Sequence, residues 1–189
     1  IIFSILYNNN KEKNMLTKIC DYLYEYDFPV AAIFDSYMDD IVDNYFKKLD
    51  RDKGYNVIYE NDFLCKKVTT AFQSIIQDEF LVTEQIDTTK LWTYVQNNEH
   101  SICVNHNHAR TTTINGVFYL NPPESDGGLE YILDDGVHYL QPKPNKLYLM
   151  PYWLYHKPTP QQDKDWRVSF NIEYKCMSRP VHRRTGTYW

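Results

Sequence analysis

Cysteine is scarce in this chain, and the four that occur, Cys20, Cys65, Cys103 and Cys176, stand far apart with no C-x-x-C pair. That spacing argues against a zinc-binding or disulfide framework and favours a reducing compartment. Long apolar runs are missing too. The opening Ile1-Ile2-Phe3-Ser4-Ile5-Leu6-Tyr7 is too short to span a bilayer and has no charged segment before it. The chain begins at Ile1 rather than Met, which reads as a trimmed or processed start. It has no long Lys/Arg run, and its formal charge is −5, which argues against a general nucleic-acid surface; only Arg179, Arg183 and Arg184 suggest a local basic patch. No internal repeat, low-complexity tract or interdomain linker is visible. These absences point to a soluble, cytoplasmic protein with no nucleic-acid or membrane partner.

What is present is ordinary globular material with one excess. Hydrophobic residues make up 43% and charged residues 24% of 189 positions, enough for one domain with a substantial core. The excess is in tyrosine: 17 of them favour β-rich structure and amphipathic clefts, where the ring packs and the hydroxyl finds a partner.

The chain changes character near residue 88. Before it, 14–26, 36–49 and 69–80 carry apolar residues at helical spacing, such as Leu16, Ile19, Cys20 and Leu23, then Met38, Ile41, Val42, Tyr45 and Phe46. Their apolar stripes read as core-facing. Pro29 breaks the chain between the first two, and Ser36 precedes Asp39 at capping-box spacing. After residue 88, the segments 91–96, 101–105, 112–120, 129–133, 146–150 and 167–174 are short, rich in β-branched and aromatic residues, and separated by turn clusters at 122–128 and 141–145. Many short strands with turns between them predict a sandwich or barrel rather than βαβ units. The expected organisation is mainly β with N-terminal helices, in a single domain over 1–189: mostly helical support over 1–88, a β core over 89–176 and a C-terminal tail over 177–189.

The chemistry gathers in Asn105-His106-Asn107-His108-Ala109-Arg110, with His156 and Arg167-Val168-Ser169 further on. Histidines at i and i+2 on an extended segment project to one face, so both imidazoles can reach one metal ion, and a third histidine beyond a turn-rich stretch could complete a triad. By the same alternation Arg167 and Ser169 share a face and offer a guanidinium fork and a hydroxyl to a carboxylate. The pairing suggests a metal site with an anionic cosubstrate beside it.

From about Trp92 to Tyr174 the order of features resembles the 2-oxoglutarate/Fe(II)-dependent oxygenases of the prolyl-hydroxylase-like kind found in phages and marine bacteria. The matching pieces are His106-Asn107-His108, Asn115-Gly116-Val117-Phe118-Tyr119-Leu120-Asn121, Gly127-Gly128-Leu129-Glu130-Tyr131, Lys146 to Pro151, Trp153-Leu154-Tyr155-His156, and Arg167 to Asn171. The resemblance implies a double-stranded β-helix (jelly-roll) core. It puts His106 at the first ligand position and His156 at the distal one, with Arg167 and Ser169 on the C5 carboxylate of 2-oxoglutarate. Tyr119 and Asn121 either line that pocket or belong to the strand core. The implied cofactors are Fe(II) and 2-oxoglutarate. The implied reaction is hydroxylation of a small molecule or a protein side chain, with 2-oxoglutarate decarboxylated to succinate, in the cytoplasm of a cell or of a virus-infected host. Trp92, Tyr119, Tyr131, Tyr148, Trp153 and Tyr155 would exclude water.

At His108 the sequence departs from the family, most of which has Asp or Glu there. A neutral imidazole raises the net charge of the metal centre by one unit. Three arrangements stay open: His108 is the third ligand, a carboxylate such as Asp126, Glu130 or Asp134 swings in, or two protein ligands and water suffice. His100, His138 and His182 read as structural histidines, and Ser125-Asp126-Gly127-Gly128 and Asp134-Asp135-Gly136 as turns. Two other functions compete. A three-histidine cupin-type dioxygenase would share the H-x-H and distal His, but no Glu occurs between Ala109 and Thr113, where cupins usually have one. The other is a catalytically silent jelly-roll binding module.

Overall fold

The computed structural model describes residues 17–48, 62–82, 85–101, 103–109, 113–162 and 164–189. A hairpin comes first, β1 (Thr17–Cys20) with β2 (Leu23–Asp27), then a 3-10 helix over Pro29–Tyr37 that runs into α1 (Met38–Lys48). The second helix, α2 (Asp62–Glu79), leads through the short β3 (Phe80–Leu81) to the long β4 (Gln85–Gln96). There follow β5 (Ile114–Leu120), β6 (Leu129–Leu133), β7 (Gly136–Leu140), β8 (Lys146–Pro151), β9 (His156–Pro158), β10 (Arg167–Cys176) and β11 (Val181–His182).

Two antiparallel sheets face each other. The larger has the order β1-β2-β8-β5-β10-β4 and the smaller β7-β6-β9, while β11 and β3 pair separately. From β5 onward the chain alternates between the sheets: β5 in the larger, β6 and β7 in the smaller, then β8, β9 and β10 in turn. That winding is a double-stranded β-helix, the jelly roll expected from the sequence.

Strand alternation divides the interior into two layers. On β10, Val168, Phe170, Ile172 and Tyr174 pack with Phe34, Ile41, Val68, Phe72 and Ile76 from the helices, whereas Arg167, Ser169, Asn171 and Glu173 take the other face. On β5, Ile114, Phe118 and Leu120 join the helix layer, and Val117 and Tyr119 pack between the sheets against Leu129, Tyr131 and Leu140. Gly116 lets the helix layer close: a Cβ there would stand 2.7 Å from Phe72 Cε2 and 3.1 Å from Leu149 Cδ2. Among the described residues, no helix is long and apolar enough to cross a membrane.

Several elements differ from the sequence reading. The segment read as a helix over 14–26 is the β1–β2 hairpin, as far as it is described. Its helical spacing is coincidental, because Leu23, Tyr24, Glu25 and Tyr26 are all buried and strand β8 pairs along β2. Among the described residues of the supposed strand 101–105, no strand pairing is found. Ser36 lies inside the 3-10 helix rather than capping, and α2 begins seven residues earlier than its stripe suggested. The segment 177–189, read as a C-terminal tail, is packed onto the rest of the chain: β11 pairs with β3, and His182 and Trp189 are fully buried. Residues 14–16 and 49, Ile102 and Arg110 to Thr112, parts of those readings, lie outside the described residues.

Candidate metal centre

His106 and His156 face each other across an isolated antiparallel bridge. The His106 N–H donates to the His156 carbonyl at 3.0 Å, and the His156 N–H returns the bond at 2.9 Å. Opposed residues of such a pair put their side chains on one face. His108, two residues along, shares that face and is tied down by its N–H to the Tyr152 carbonyl at 2.8 Å. The ring centroids lie 4.5 Å (His106–His156), 5.2 Å (His106–His108) and 5.2 Å (His108–His156) apart. One ligand atom from each of the three falls within 4.8 Å of the others.

Each ring is oriented through Nδ1. His106 Nδ1 lies 2.8 Å from the Val104 carbonyl, His156 Nδ1 2.8 Å from the Leu154 carbonyl, and His108 Nδ1 2.9 Å from Glu173 Oε1. All three partners are acceptors, so Nδ1 carries the proton and Nε2 keeps its lone pair for a cation. Burial holds His156 down to about 3, with His106 and His108 adding to the shift, and burial also lowers His106, the most open of the three. Neutral imidazoles in this number suit Fe(II) and its neighbours among the divalent transition metals.

A second cluster, on the same face of β10 as Glu173, centres on Arg167. Arg167 is 1% exposed, its Nε and Nη2 have no hydrogen-bond partner, and Nη1 makes only a long 3.4 Å contact with the Gly128 carbonyl. Among the described residues no acidic side chain pairs with it. A buried guanidinium with so few partners is costly. Tyr119 packs its ring 5.7 Å from the Arg167 Cζ, opposite Ser169 in register, and burial pushes its phenol up to about 12, so it remains a donor. Gly127 (φ 63°) and Gly128 turn tightly here, and a Cβ on Gly127 would stand 3.1 Å from Arg167 Nη1. Gln96 Oε1, opposite Arg167 in register, and Thr159 Oγ1 and Gln161 Oε1 are buried without partners as well.

The structure brings together His106, His108 and His156, and separately Arg167, Ser169 and Tyr119. It does not bring the alternative carboxylates to the triad. Glu130 pairs with Lys157 at 2.9 Å, Asp126 Oδ2 accepts the Gln162 N–H at 3.1 Å, and Asp134 is exposed at the β6–β7 turn. His100, His138 and His182 stand elsewhere: His100 stacks on Trp166, His138 pairs with Asp135, and His182 is in the core. Asn121, with φ 39°, is exposed at the end of β5. Of the aromatic set, Trp92 lies 5.9 Å from the His108 ring and Tyr131 opposes His156 in register. Tyr155 is 50% exposed, because it alternates with the inward His156. The sequence reading missed Glu173, although the alternation that paired Arg167 with Ser169 runs on through Asn171 to it. It also missed Gln96, Thr159 and Gln161, for which no spacing signal exists.

No protein-family model matches the sequence, and no curated protein matches it. Solved structures do. A Pseudomonas putida prolyl-4-hydroxylase matches with a TM-score of 0.59 at 15% identity, over 78% of this chain and 83% of that one. The viral collagen prolyl hydroxylase of Paramecium Bursaria Chlorella virus-1 matches with 0.55 at 11% identity, over 90% and 99%. SnoN, a non-heme alpha ketoglutarate dependent epimerase from nogalamycin biosynthesis, matches with 0.57 at 12% identity, over 88% and 82%. At these identities the likeness is one of architecture: the chain has the fold of the 2-oxoglutarate- and Fe(II)-dependent oxygenases.

Proposed function

We propose that this protein is a 2-oxoglutarate- and Fe(II)-dependent dioxygenase that hydroxylates its substrate. The observation that carries the reading is Arg167, a buried guanidinium with two unpartnered nitrogens on the strand whose other end orients a triad histidine. In this reading His106, His108 and His156 hold the metal through Nε2. Arg167 receives the C5 carboxylate through paired N–H donors, and the Ser169 and Tyr119 hydroxyls donate to the same group. Trp92 and Tyr131 keep water from the triad. Fe(II), 2-oxoglutarate and dioxygen together supply the chemistry, oxidative decarboxylation to succinate and carbon dioxide coupled to hydroxylation of a C–H bond. The structural neighbours include prolyl hydroxylases and an epimerase of nogalamycin biosynthesis, so the fold serves polypeptide and small-molecule substrates alike, and we carry both classes forward.

The three-imidazole set also favours a second reading, a dioxygenase that binds only metal and organic substrate. Arg167 weighs against it, since such an enzyme leaves that charge unexplained. Anaerobic titration separates the two. Fe(II) followed by 2-oxoglutarate is expected to give a weak visible charge-transfer band that His156→Ala abolishes. Metal binding with no response to 2-oxoglutarate favours the second reading, and a full band with succinate production in His156→Ala removes His156 from the ligand set.

A further inference from the structure

Imidazoles that bind a metal ion through Nε2 do so as neutral ligands. Two histidines and a carboxylate around a dication leave a net charge of one, whereas three imidazoles leave two, at a site where His108 and His156 are buried and uncompensated charge is expensive. Glu173 lies against this site. It is 4% exposed, on the inter-sheet face of β10, and its Oε1 accepts the His108 Nδ1 proton at 2.9 Å. We propose that Glu173 is the counter-charge of the metal centre: a carboxylate one imidazole removed from the ion, supplying through His108 the negative charge that an oxygen ligand at that position would supply directly. This rests on the metal-site reading above and adds to it the residue that sets the electronic character of the site.

Three observations support the assignment. The three imidazoles are not equivalent, because His106 and His156 give their Nδ1 protons to neutral backbone carbonyls and His108 gives its proton to a carboxylate. A carboxylate partner fixes the tautomer and ring plane and draws electron density onto Nε2, making His108 the strongest donor of the set. The histidine so partnered is also the one at the position where the carboxylate ligand is missing. Finally, the surroundings amplify charge: Asn115, paired with Glu173 across β5 and β10, is fully buried with both amide atoms unpartnered, so the neighbourhood is weakly solvated.

The test is a cycle of Fe(II) affinities and Fe(III)/Fe(II) midpoint potentials on full-length protein. Glu173→Gln keeps a hydrogen-bond acceptor for His108 and removes only the charge. It is expected to weaken Fe(II) binding by roughly 10–100-fold and to raise the potential, since the oxidised ion loses more stabilisation. Glu173→Asp, which keeps the charge, should stay closer to wild type than the glutamine variant; the reverse order overturns the proposal. In a His108→Asp background, where the charge sits on the ion's own ligand, Glu173→Gln should cost far less than in the wild-type background. An equal loss in both backgrounds marks Glu173 as structural and overturns the proposal, as does an unmoved affinity and potential in Glu173→Gln. If wild-type protein itself binds neither Fe(II) nor Co(II), the metal-site reading falls and takes this one with it.

Discussion

Arg167 is the residue whose loss is easiest to forecast, because its cost is already visible as two unpartnered nitrogens. Removing one charge-assisted contact to a carboxylate forfeits about 1.5–3 kcal/mol, roughly one to two factors of ten in affinity. Arg167→Ala should therefore raise the apparent KM for 2-oxoglutarate by about 10–100-fold while Fe(II) affinity, measured without cosubstrate, stays at the wild-type value. An unchanged KM would move the carboxylate anchor elsewhere. That His106 shares a face with His108, and Arg167 with Ser169, was legible in the sequence because two-residue spacing on an extended chain is a statement about faces. His156 came from its place in the order of motifs. Glu173 was not, since what marks it is a hydrogen bond to a residue 65 positions away.

Strand β10 does two jobs with one alternation: Arg167, Ser169 and Glu173 lie on the face of the candidate site, and Val168, Phe170, Ile172 and Tyr174 pack against the helices. The same division on β5 makes Gly116 a packing residue rather than a site residue. Gly116→Val would drive methyl groups into Phe72, Leu147 and Leu149, an overpacking expected to cost about 1–3 kcal/mol. Thermal melting should show Tm lower by several degrees, and the fraction still folded should bind metal as tightly as wild type. A variant that kept its Tm but lost metal would mean that Gly116 faces the site. Short strands and turns were enough to read a sandwich or barrel, and the resemblance in motif order narrowed it to a jelly roll. The β1–β2 hairpin was not readable, since its apolar residues also fit a helix and its two-residue turn, Asp21-Tyr22, lacks the glycine or asparagine that would announce it. β9 is three residues long and was hidden for the opposite reason, being too short to show a period.

At the scale of the whole molecule, His182 ties the far end of the chain to the helix layer. It stacks on Tyr24 at 4.4 Å, meets Tyr26 Oη at 3.2 Å and Thr185 Oγ1 at 3.1 Å, and lies edge-on to Phe80. Burial, with the Arg184 charge nearby, holds it down to about 4. Below about 6.5 the unfolded chain takes up a proton at this histidine that the folded one refuses. Its contribution to stability is therefore complete above that pH and is lost as pH falls towards 4, at up to about 1.4 kcal/mol per pH unit. Denaturant midpoints between pH 4 and 7 should fall with acid, and His182→Gln should flatten the slope by up to one proton; an unchanged slope would clear His182 of the effect. The bridge between His106 and His156 has a consequence for assembly. These residues stand fifty positions apart in sequence, yet each holds the other's backbone, so the local pair His106 and His108 meets the third imidazole only when the distant His156 is brought against it. An ion held by all three would be a clasp closed only after His156 has arrived, so the part of its binding energy contributed by His156 would favour the finished fold over the states that precede it.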